Sequence, residues 1–244
     1  MISVCLATYN GAEYIREQIE SILAQLSAED EIVVSDGGST DDTMARIRQI
    51  GDARIRVLTL PEAPAVSNDI WGKMALIRRN FEHALQHAQG DIVFLSDQDD
   101  KWLPGKVAGV LDVMDEQTMC VVHDAIVTDE QLHEITPSIM NLYRPCYGRW
   151  GVLWKSPFMG CCMAVRKAVV TKALPMPDGM EYDTWLGCVA FRLGKVKFVK
   201  TPWLLYRRHG HNASCLADTN PNSLFVKFRR RYNMLKSCLL YLRS

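Results

Sequence analysis

The sequence has 244 residues, of which 48% are hydrophobic and 23% charged, and its formal net charge is zero. A chain of this length can bury roughly three quarters of its unfolded surface, so we expect one folded domain and no general disorder. The eight cysteines form no C-x-x-C pair, no stretch approaches the roughly 20 apolar residues of a membrane span, and no charged leader precedes the first strand pattern, which together predict a cytoplasmic protein.

The first hundred or so residues alternate strand and helix patterns, which predicts β-α-β units and a parallel sheet. Strands are predicted at 2–7, 32–35, 54–60 and 91–96, with helices at 13–26, about 40–50 and 70–88. The later part is less regular. Its predicted strands are 120–123, 161–165, 196–199 and 203–206, and its clearest helix is 182–193. Segment 137–157 has no clean period, and a loop of this length is usually functional or mobile.

The C-terminal segment, 217–244, has apolar residues at spacings of three and four, and no acidic residue follows Asp218. This pattern predicts a basic amphipathic helix. Such a helix fits an anionic membrane surface, and it fits equally well against the domain or a second subunit. The sequence leaves both alternatives open.

Three polar clusters follow predicted strands, and parallel sheets bind ligands beyond the carboxyl ends of their strands. The clusters are Thr8–Gly11, Asp36–Asp41 and Asp97–Asp100. The first two offer an aromatic ring, a carboxylate and glycines to a nucleotide, although each alone is typical of a turn. In the third, two carboxylates separated by one residue can bind a divalent cation that bridges phosphates. The alternative is that these acids only cap the next helix.

Four segments together carry a specific resemblance. SVCLATYNGAEYI, IVVSDGGSTDDT, NFEHALQHAQGDIVFLSDQDDKWLPGK and YRRHGHN, in this order, resemble family 2 glycosyltransferases, especially the bacterial rhamnosyl- and galactosyltransferase-like branch. The resemblance implies the α/β GT-A fold, with a mostly parallel central sheet flanked by helices. It implies a catalytic domain at 1–216, made of a nucleotide-sugar half (1–115) and an acceptor half (116–216), followed by the amphipathic helix at 217–244.

The resemblance also assigns roles to particular positions. It implies a nucleotide and donor pocket lined by Thr8, Tyr9, Asn10, Glu13, Asp36, Asn80 and Asp97. Asp97 and Asp99 would be the D-x-D pair that binds Mg²⁺ or Mn²⁺, and His209 would approach the metal or the diphosphate. Asp183 matches the position of the catalytic base. The alternative for Asp183 and Glu181 is that both only complement the dipole of the helix they precede or begin.

The implied activity is inverting transfer of a sugar, such as rhamnose or galactose, from a UDP- or dTDP-linked donor. The expected acceptor is a saccharide or a lipid-linked saccharide of a cell-surface polysaccharide. We also expect the C-terminal helix to contact the inner face of the cell membrane peripherally, and two copies of the chain to form a homodimer. We expect no nucleic-acid partner. The alternatives are a nucleotidyltransferase and a non-catalytic partner that binds nucleotide sugars.

Overall fold

The computed structural model describes residues 1–61, 70–148 and 151–210, together with Tyr232, Asn233 and Leu235. Apart from these last three residues, which are helical, the predicted C-terminal helix at 217–244 lies outside the described residues. None of the described helices is long and apolar enough to cross a lipid bilayer.

Nine strands and seven α-helices make up the described fold. The strands are β1 (Ile2–Thr8), β2 (Glu31–Asp36), β3 (Ile55–Thr59), β4 (Ile92–Ser96), β5 (Lys101–Trp102), β6 (Thr118–Thr128), β7 (Glu134–Thr136), β8 (Met163–Arg166) and β9 (Lys195–Arg207). The helices are α1 (Ile15–Leu23), α2 (Thr43–Ile50), α3 (Ile70–His87), α4 (Lys106–Val113), α5 (Ile139–Tyr143), α6 (Lys167–Ala173) and α7 (Tyr182–Leu193). Short 3₁₀ turns span Gly151–Leu153 and Gly160–Cys162.

The strands form one sheet in the order β3-β2-β1-β4-β8-β6-β9-β5, with β7 paired to β6. The first four strands in this order are all parallel, as the sequence predicts. Strand β8 then runs antiparallel between β4 and β6, so the second part of the sheet is mixed. Strand β1 has β2 on one side and β4 on the other. The strand order therefore reverses at β1, where α/β sheets bind ligands.

The parallel part folds this way because its central strands have buried apolar residues and its helices are apolar on one side. Strand β2 is buried at every position, and β4 is buried after its first residue. Helix α1 buries Ile15, Ile19 and Ile22, which recur at spacings of three and four and therefore share one face. Because helices cover the faces of a sheet of this kind, the ends of its strands remain accessible to a ligand.

Two predictions for the second half need correction. The predicted strands at 196–199 and 203–206 are one strand, β9, whose pairing with β6 shifts register where Pro202 faces Asp124. A proline has no N–H to give to the ladder and is tolerated at such a bulge, so the apolar pattern breaks while the strand continues. The predicted strand at 161–165 begins later, at Met163, because Gly160–Cys162 form a 3₁₀ turn.

Candidate active site

The three polar clusters meet at one edge of the sheet. In the parallel register Thr8 lies opposite Asp36, and Leu6 lies opposite Ser96, the residue before the acidic cluster. The carboxyl ends of β1, β2 and β4 are therefore side by side. The fold thus brings the two predicted nucleotide loops next to the acidic loop, Asp97–Asp100.

Gln98, the residue between the two predicted metal ligands, links the acidic loop to the first nucleotide loop. Its side-chain oxygen accepts hydrogen bonds from the Thr8 hydroxyl (2.6 Å) and the Tyr9 N–H (2.8 Å). Its amide nitrogen donates to the Tyr9 carbonyl (3.2 Å). A side chain at Gly11 would overlap the Gln98 amide, so the glycine makes this contact possible. The sequence prediction missed Gln98, although it lies inside the motif.

Asn10 and Asp36 connect the two nucleotide loops. Asn10 adopts a left-handed backbone conformation (φ 49°), and its side-chain oxygen accepts from the Thr40 N–H at 2.8 Å. The carboxylate of Asp36 accepts from the Ser39 N–H (3.1 Å) and hydroxyl (2.5 Å). The Ser39 hydroxyl in turn accepts from the Asn10 N–H at 2.9 Å. Both predicted side chains therefore shape the loop that follows β2.

The remaining predicted donor residues divide into one buried and two exposed side chains. Asn80 is buried on α3, where it donates to the Thr8 carbonyl (3.0 Å) and accepts from the Ser35 hydroxyl (2.9 Å). Tyr9 is 38% exposed, and its position beside the open strand ends leaves an aromatic surface for stacking. Glu13 is exposed in the turn before α1. Asn80 thus belongs to the loop network, whereas Tyr9 and Glu13 lie at its surface.

The acidic loop contributes to an inner group in which half-buried Asp97 lies beside three buried residues, Asp100, Cys161 and Lys106. One potential ligand atom from each of Asp97, Asp100 and Cys161 lies within 4.8 Å of the others. Asp100 accepts the backbone N–H of Arg207 at 3.1 Å with one carboxylate oxygen, and the other oxygen is buried with no hydrogen-bond partner among the described residues. Lys106 is fully buried and donates to the Cys161 carbonyl at 2.8 Å. This group therefore combines close charges with little access to water.

Burial, followed by the negative charge of Asp99, raises the pKa of Asp97 to about 7. Burial and the neighbouring carboxylates raise the pKa of Asp100 well above its ordinary value. The Cys161 thiol also has a strongly raised pKa, because of its hydrogen bond with Cys162 and its burial. A protonated thiol is a poor ligand for a hard cation, so this cluster is not by itself a good Mg²⁺ or Mn²⁺ site.

Asp99 of the same loop pairs instead with His209, and we call these two residues the outer pair. Asp99 Oδ2 and His209 Nε2 are 2.9 Å apart, and their side chains are 15% and 6% exposed. The ring of Tyr14 lies against the ring of His209, with centroids 5.0 Å apart. A carboxylate facing an imidazole is a donor set that suits a divalent transition metal such as Mn²⁺. The structure therefore brings together two of the three predicted metal ligands.

Arg207 clamps the acidic loop to its surroundings. Its Nε donates to the Asp99 carbonyl (2.9 Å), and Nη1 donates to the Glu130 carbonyl (2.5 Å). Nη2 pairs with Glu17 at 2.5 Å, and the guanidinium lies 4.6 Å from the centre of the Tyr14 ring. Although burial opposes it, hydrogen bonds from Lys101 and Arg207 hold the pKa of Glu17 below its ordinary value. Arg207 thus fixes both Asp99 and the ring that packs on His209.

Asp183 lies in the first turn of α7, and its Oδ1 accepts the Thr184 N–H at 2.6 Å. Burial raises its pKa to about 7, with smaller contributions from the charges of Glu181 and Asp97. The preceding residue, Tyr182, contacts Gly160, and the residue after Gly160, Cys161, lies within 4.8 Å of Asp97, so the helix start is near the acidic loop. A carboxylate with a pKa near neutrality is suited to accept a proton from a substrate.

These strand-end loops, the acidic motif and the carboxylate at a nearby helix start define a nucleotide-sugar transferase of the GT-A type. The family model "Glycosyl transferase family 2" matches residues 3–68 and 73–174, and the chain belongs to this family. The family and the α/β fold inferred from the sequence are therefore confirmed, and the protein is a glycosyltransferase.

Two relatives are similar over most of this chain. An uncharacterized glycosyltransferase of Nostoc sp. is 28% identical over 86% of this chain and 66% of its own length. The Escherichia coli UDP-Glc:alpha-D-GlcNAc-diphosphoundecaprenol beta-1,3-glucosyltransferase WfaP is 25% identical over 97% of this chain and 86% of its own.

Two solved structures share the fold. S. aureus TarS 1–349, in complex with UDP-GlcNAc, superposes with a TM-score of 0.67 at 19% identity, covering 96% of this chain and 66% of that fragment. Glucosyl-3-phosphoglycerate synthase of Mycobacterium tuberculosis, in complex with Mn²⁺, UDP and glucosyl-3-phosphoglycerate, superposes with a TM-score of 0.59 at 22% identity, covering 98% and 80%. The chain therefore spans about two thirds of the TarS 1–349 fragment and of the Nostoc relative, and 36% of the TarS chain in a longer solved structure.

Proposed function

We propose that the protein is an inverting, metal-dependent transferase that moves a sugar from a UDP- or dTDP-sugar to a saccharide or lipid-linked saccharide. The observation that carries this proposal is that Asp183 lies at a helix start whose first residue, Tyr182, packs on Gly160, next to the Cys161 that lies beside Asp97 of the acidic loop. The loop supplies groups for the diphosphate end of the donor, and Asp183 supplies a base. We further propose that residues 1–115 bind the donor and residues 116–216 the acceptor.

The residues that would hold Mg²⁺ or Mn²⁺ are Asp99 and His209, with Asp97 from the inner group. The 2.9 Å approach of the Asp99 carboxylate to the His209 ring nitrogen fits a site where both atoms face one ion. The Mn²⁺ and UDP bound to the M. tuberculosis synthase support a divalent cation as the cofactor. When bound, the cation offsets the negative charge that develops on the departing diphosphate.

The nucleoside end of the donor would lie over the loops that follow β1 and β2. The exposed ring of Tyr9 offers a stacking surface, and Thr8 and Asn10 fix the backbone on which it lies. Glu13 and Asp36 offer carboxylates to ribose or base N–H and O–H groups. Asn80 holds the end of β1 in place through its bond to the Thr8 carbonyl.

In the reaction, the carboxylate of Asp183 takes the proton of the acceptor hydroxyl. The acceptor oxygen forms a bond to the anomeric carbon while the bond from that carbon to the diphosphate oxygen breaks, and its electron pair leaves with the nucleoside diphosphate. One displacement of this kind inverts the anomeric centre. A base with a pKa of about 7 is matched to proton transfer near neutral pH.

The name of the E. coli relative includes a diphosphoundecaprenol acceptor, which supports a lipid-linked saccharide as the acceptor here. The donor sugar would be a hexose or deoxyhexose such as galactose or rhamnose. An acceptor of this kind is membrane-bound, so contact of the segment 217–244 with the inner face of the membrane fits the proposal. Packing against a second subunit is the alternative for that segment.

The test is release of nucleoside diphosphate from a panel of nucleotide sugars with Mn²⁺, by wild type and by two variants. Asp183→Asn should lower turnover at least about 100-fold, because a general base contributes roughly that much or more, while the affinity for UDP stays unchanged. Glu181→Gln, two residues away, is the matched control and should keep turnover within about tenfold. If no nucleotide sugar is bound or cleaved by the wild type, the proposed function is wrong. Loss in Glu181→Gln alone would move the base to Glu181.

A further inference from the structure

Tyr182 begins α7 and precedes the proposed base by one residue. Its ring stacks on Phe81 of α3, with centroids 3.9 Å apart and planes inclined by 14°. Its hydroxyl end lies directly over Gly160, where any Cβ would overlap the phenol oxygen. The residue is 9% exposed. The side chain is therefore fixed by the stack at the ring and by the backbone of the 3₁₀ turn at the hydroxyl.

The hydroxyl lies between the acidic loop and the proposed base. Gly160 precedes Cys161, whose sulfur lies within 4.8 Å of a carboxylate oxygen of Asp97. Tyr182 also precedes Asp183 at the start of the helix. Burial and the charges of Asp97 and Asp183 raise the pKa of the phenol well above its ordinary value. The group therefore remains a neutral O–H that can donate a hydrogen bond at every working pH.

Within the residues that the structure describes, this hydroxyl makes no hydrogen bond. The side-chain polar atoms of the described residues that are sealed from water without a partner belong to Asp100, Trp102 and His123. The Tyr182 oxygen is not among them, so it keeps a small exposure to solvent, although the residue as a whole is nearly buried. An unpaired donor that is held rigidly in a nearly buried position is stabilised by a ligand that supplies the acceptor atom.

We propose that Tyr182 determines donor specificity by hydrogen-bonding a hydroxyl group of the sugar that is transferred. This inference rests on the proposed function. The nucleoside end of the donor belongs to the loops around Tyr9 and Asp36, and the diphosphate belongs to the outer pair. The sugar must then occupy the space between the acidic loop and Asp183, which is where the phenol O–H lies.

The variant Tyr182→Phe removes the hydroxyl and keeps the ring that stacks on Phe81. We expect the dissociation constant of UDP with Mn²⁺ to change less than twofold, because UDP has no sugar to contact. The dissociation constant of the preferred nucleotide sugar should rise about tenfold, the size expected when one buried hydrogen bond is lost. Titration calorimetry measures both constants on the full-length protein.

One further variant separates this role from a general effect of losing a tyrosine hydroxyl. Tyr147→Phe removes a hydroxyl from an exposed tyrosine that packs on Phe198, away from the cleft, and should change neither constant. With donors that each lack one sugar hydroxyl, the penalty of Tyr182→Phe should vanish for one of them.

If Tyr182→Phe lost equal affinity for UDP and for the nucleotide sugar, the inference would be contradicted. The same would hold if it lost affinity for neither. A rise confined to the KM of the acceptor would also contradict it, because the hydroxyl would then serve the other substrate. If the wild type binds neither UDP nor any nucleotide sugar, the proposed function fails and this inference fails with it. If the wild type binds both ligands and Tyr182→Phe binds them with the same affinities, only the inference fails.

Discussion

The four residues Asp97–Asp100 supply two very different environments. The outer pair, Asp99 with His209, is partly open and is held by Arg207 and the ring of Tyr14. The inner group packs half-buried Asp97 and fully buried Asp100 beside a buried lysine, and burial raises the pKa of both carboxylates. Neighbouring carboxylates in one motif therefore differ in burial and in their partners. A cation is expected at the outer pair, where a carboxylate oxygen and an imidazole nitrogen face each other.

The strongest test of the difference between the two environments is to neutralise one carboxylate in each of them. Asp99→Asn should lower Mn²⁺ affinity by about 100-fold or more, since loss of even a supporting partner costs roughly 10- to 100-fold. Asp100→Asn should change it by less than about threefold, because the amide resembles the protonated acid that burial favours and still accepts from Arg207. Titration calorimetry with Mn²⁺ and UDP measures both. Equal losses would mean that the two environments do not differ as described.

The pH dependence should follow the proposed base. Since Asp183 must be deprotonated to act and its pKa is about 7, kcat/KM should rise about tenfold per pH unit below 7 and level off above it. Glu181 contributes to the raised pKa, so Glu181→Gln should move the inflection to lower pH. Steady-state rates measured between about pH 5 and 9 give the profile, because this interval lies on both sides of the expected inflection. A profile that falls with rising pH would exclude Asp183 as the base.

The smallest of the expected effects concerns the support of the outer pair. Tyr14→Leu removes the ring between His209 and Arg207 and should weaken Mn²⁺ binding about tenfold, because groups behind metal ligands orient them. Tyr14→Phe keeps the ring and should restore wild-type affinity. Melting temperatures of both variants report whether the fold is intact. If the two variants bind Mn²⁺ alike, the ring has no part in positioning His209.

The parallel half of the fold could be predicted from the sequence because each element follows from local patterns. Strands β1, β2 and β4 are continuous apolar runs, and the helices between them are amphipathic. Parallel pairing then aligns the strand ends without further information. Because parallel pairing places the carboxyl ends of neighbouring strands side by side, the sequence alone could predict that the three polar clusters meet at one edge of the sheet.

The second half and the support of the site could not be predicted in this way. Strand β9 contains lysines and Pro202 among its apolar residues, so its pattern reads as two strands. Arg207 meets Glu17 across 190 residues of sequence, and Tyr182 meets Gly160 only because the sheet brings α7 over the 3₁₀ turn. Such contacts depend on the assembled sheet. Local spacing also cannot tell which carboxylate of D-x-D-D faces a ligand and which is sealed.

The most direct test is an anomalous difference map from crystals grown with UDP and Mn²⁺, recorded near the manganese absorption edge. The proposed site predicts one strong peak in direct contact with Asp99 Oδ2 and His209 Nε2, next to the diphosphate of UDP. A peak enclosed by Asp97, Asp100 and Cys161, or a bound diphosphate with no peak at the outer pair, would contradict it.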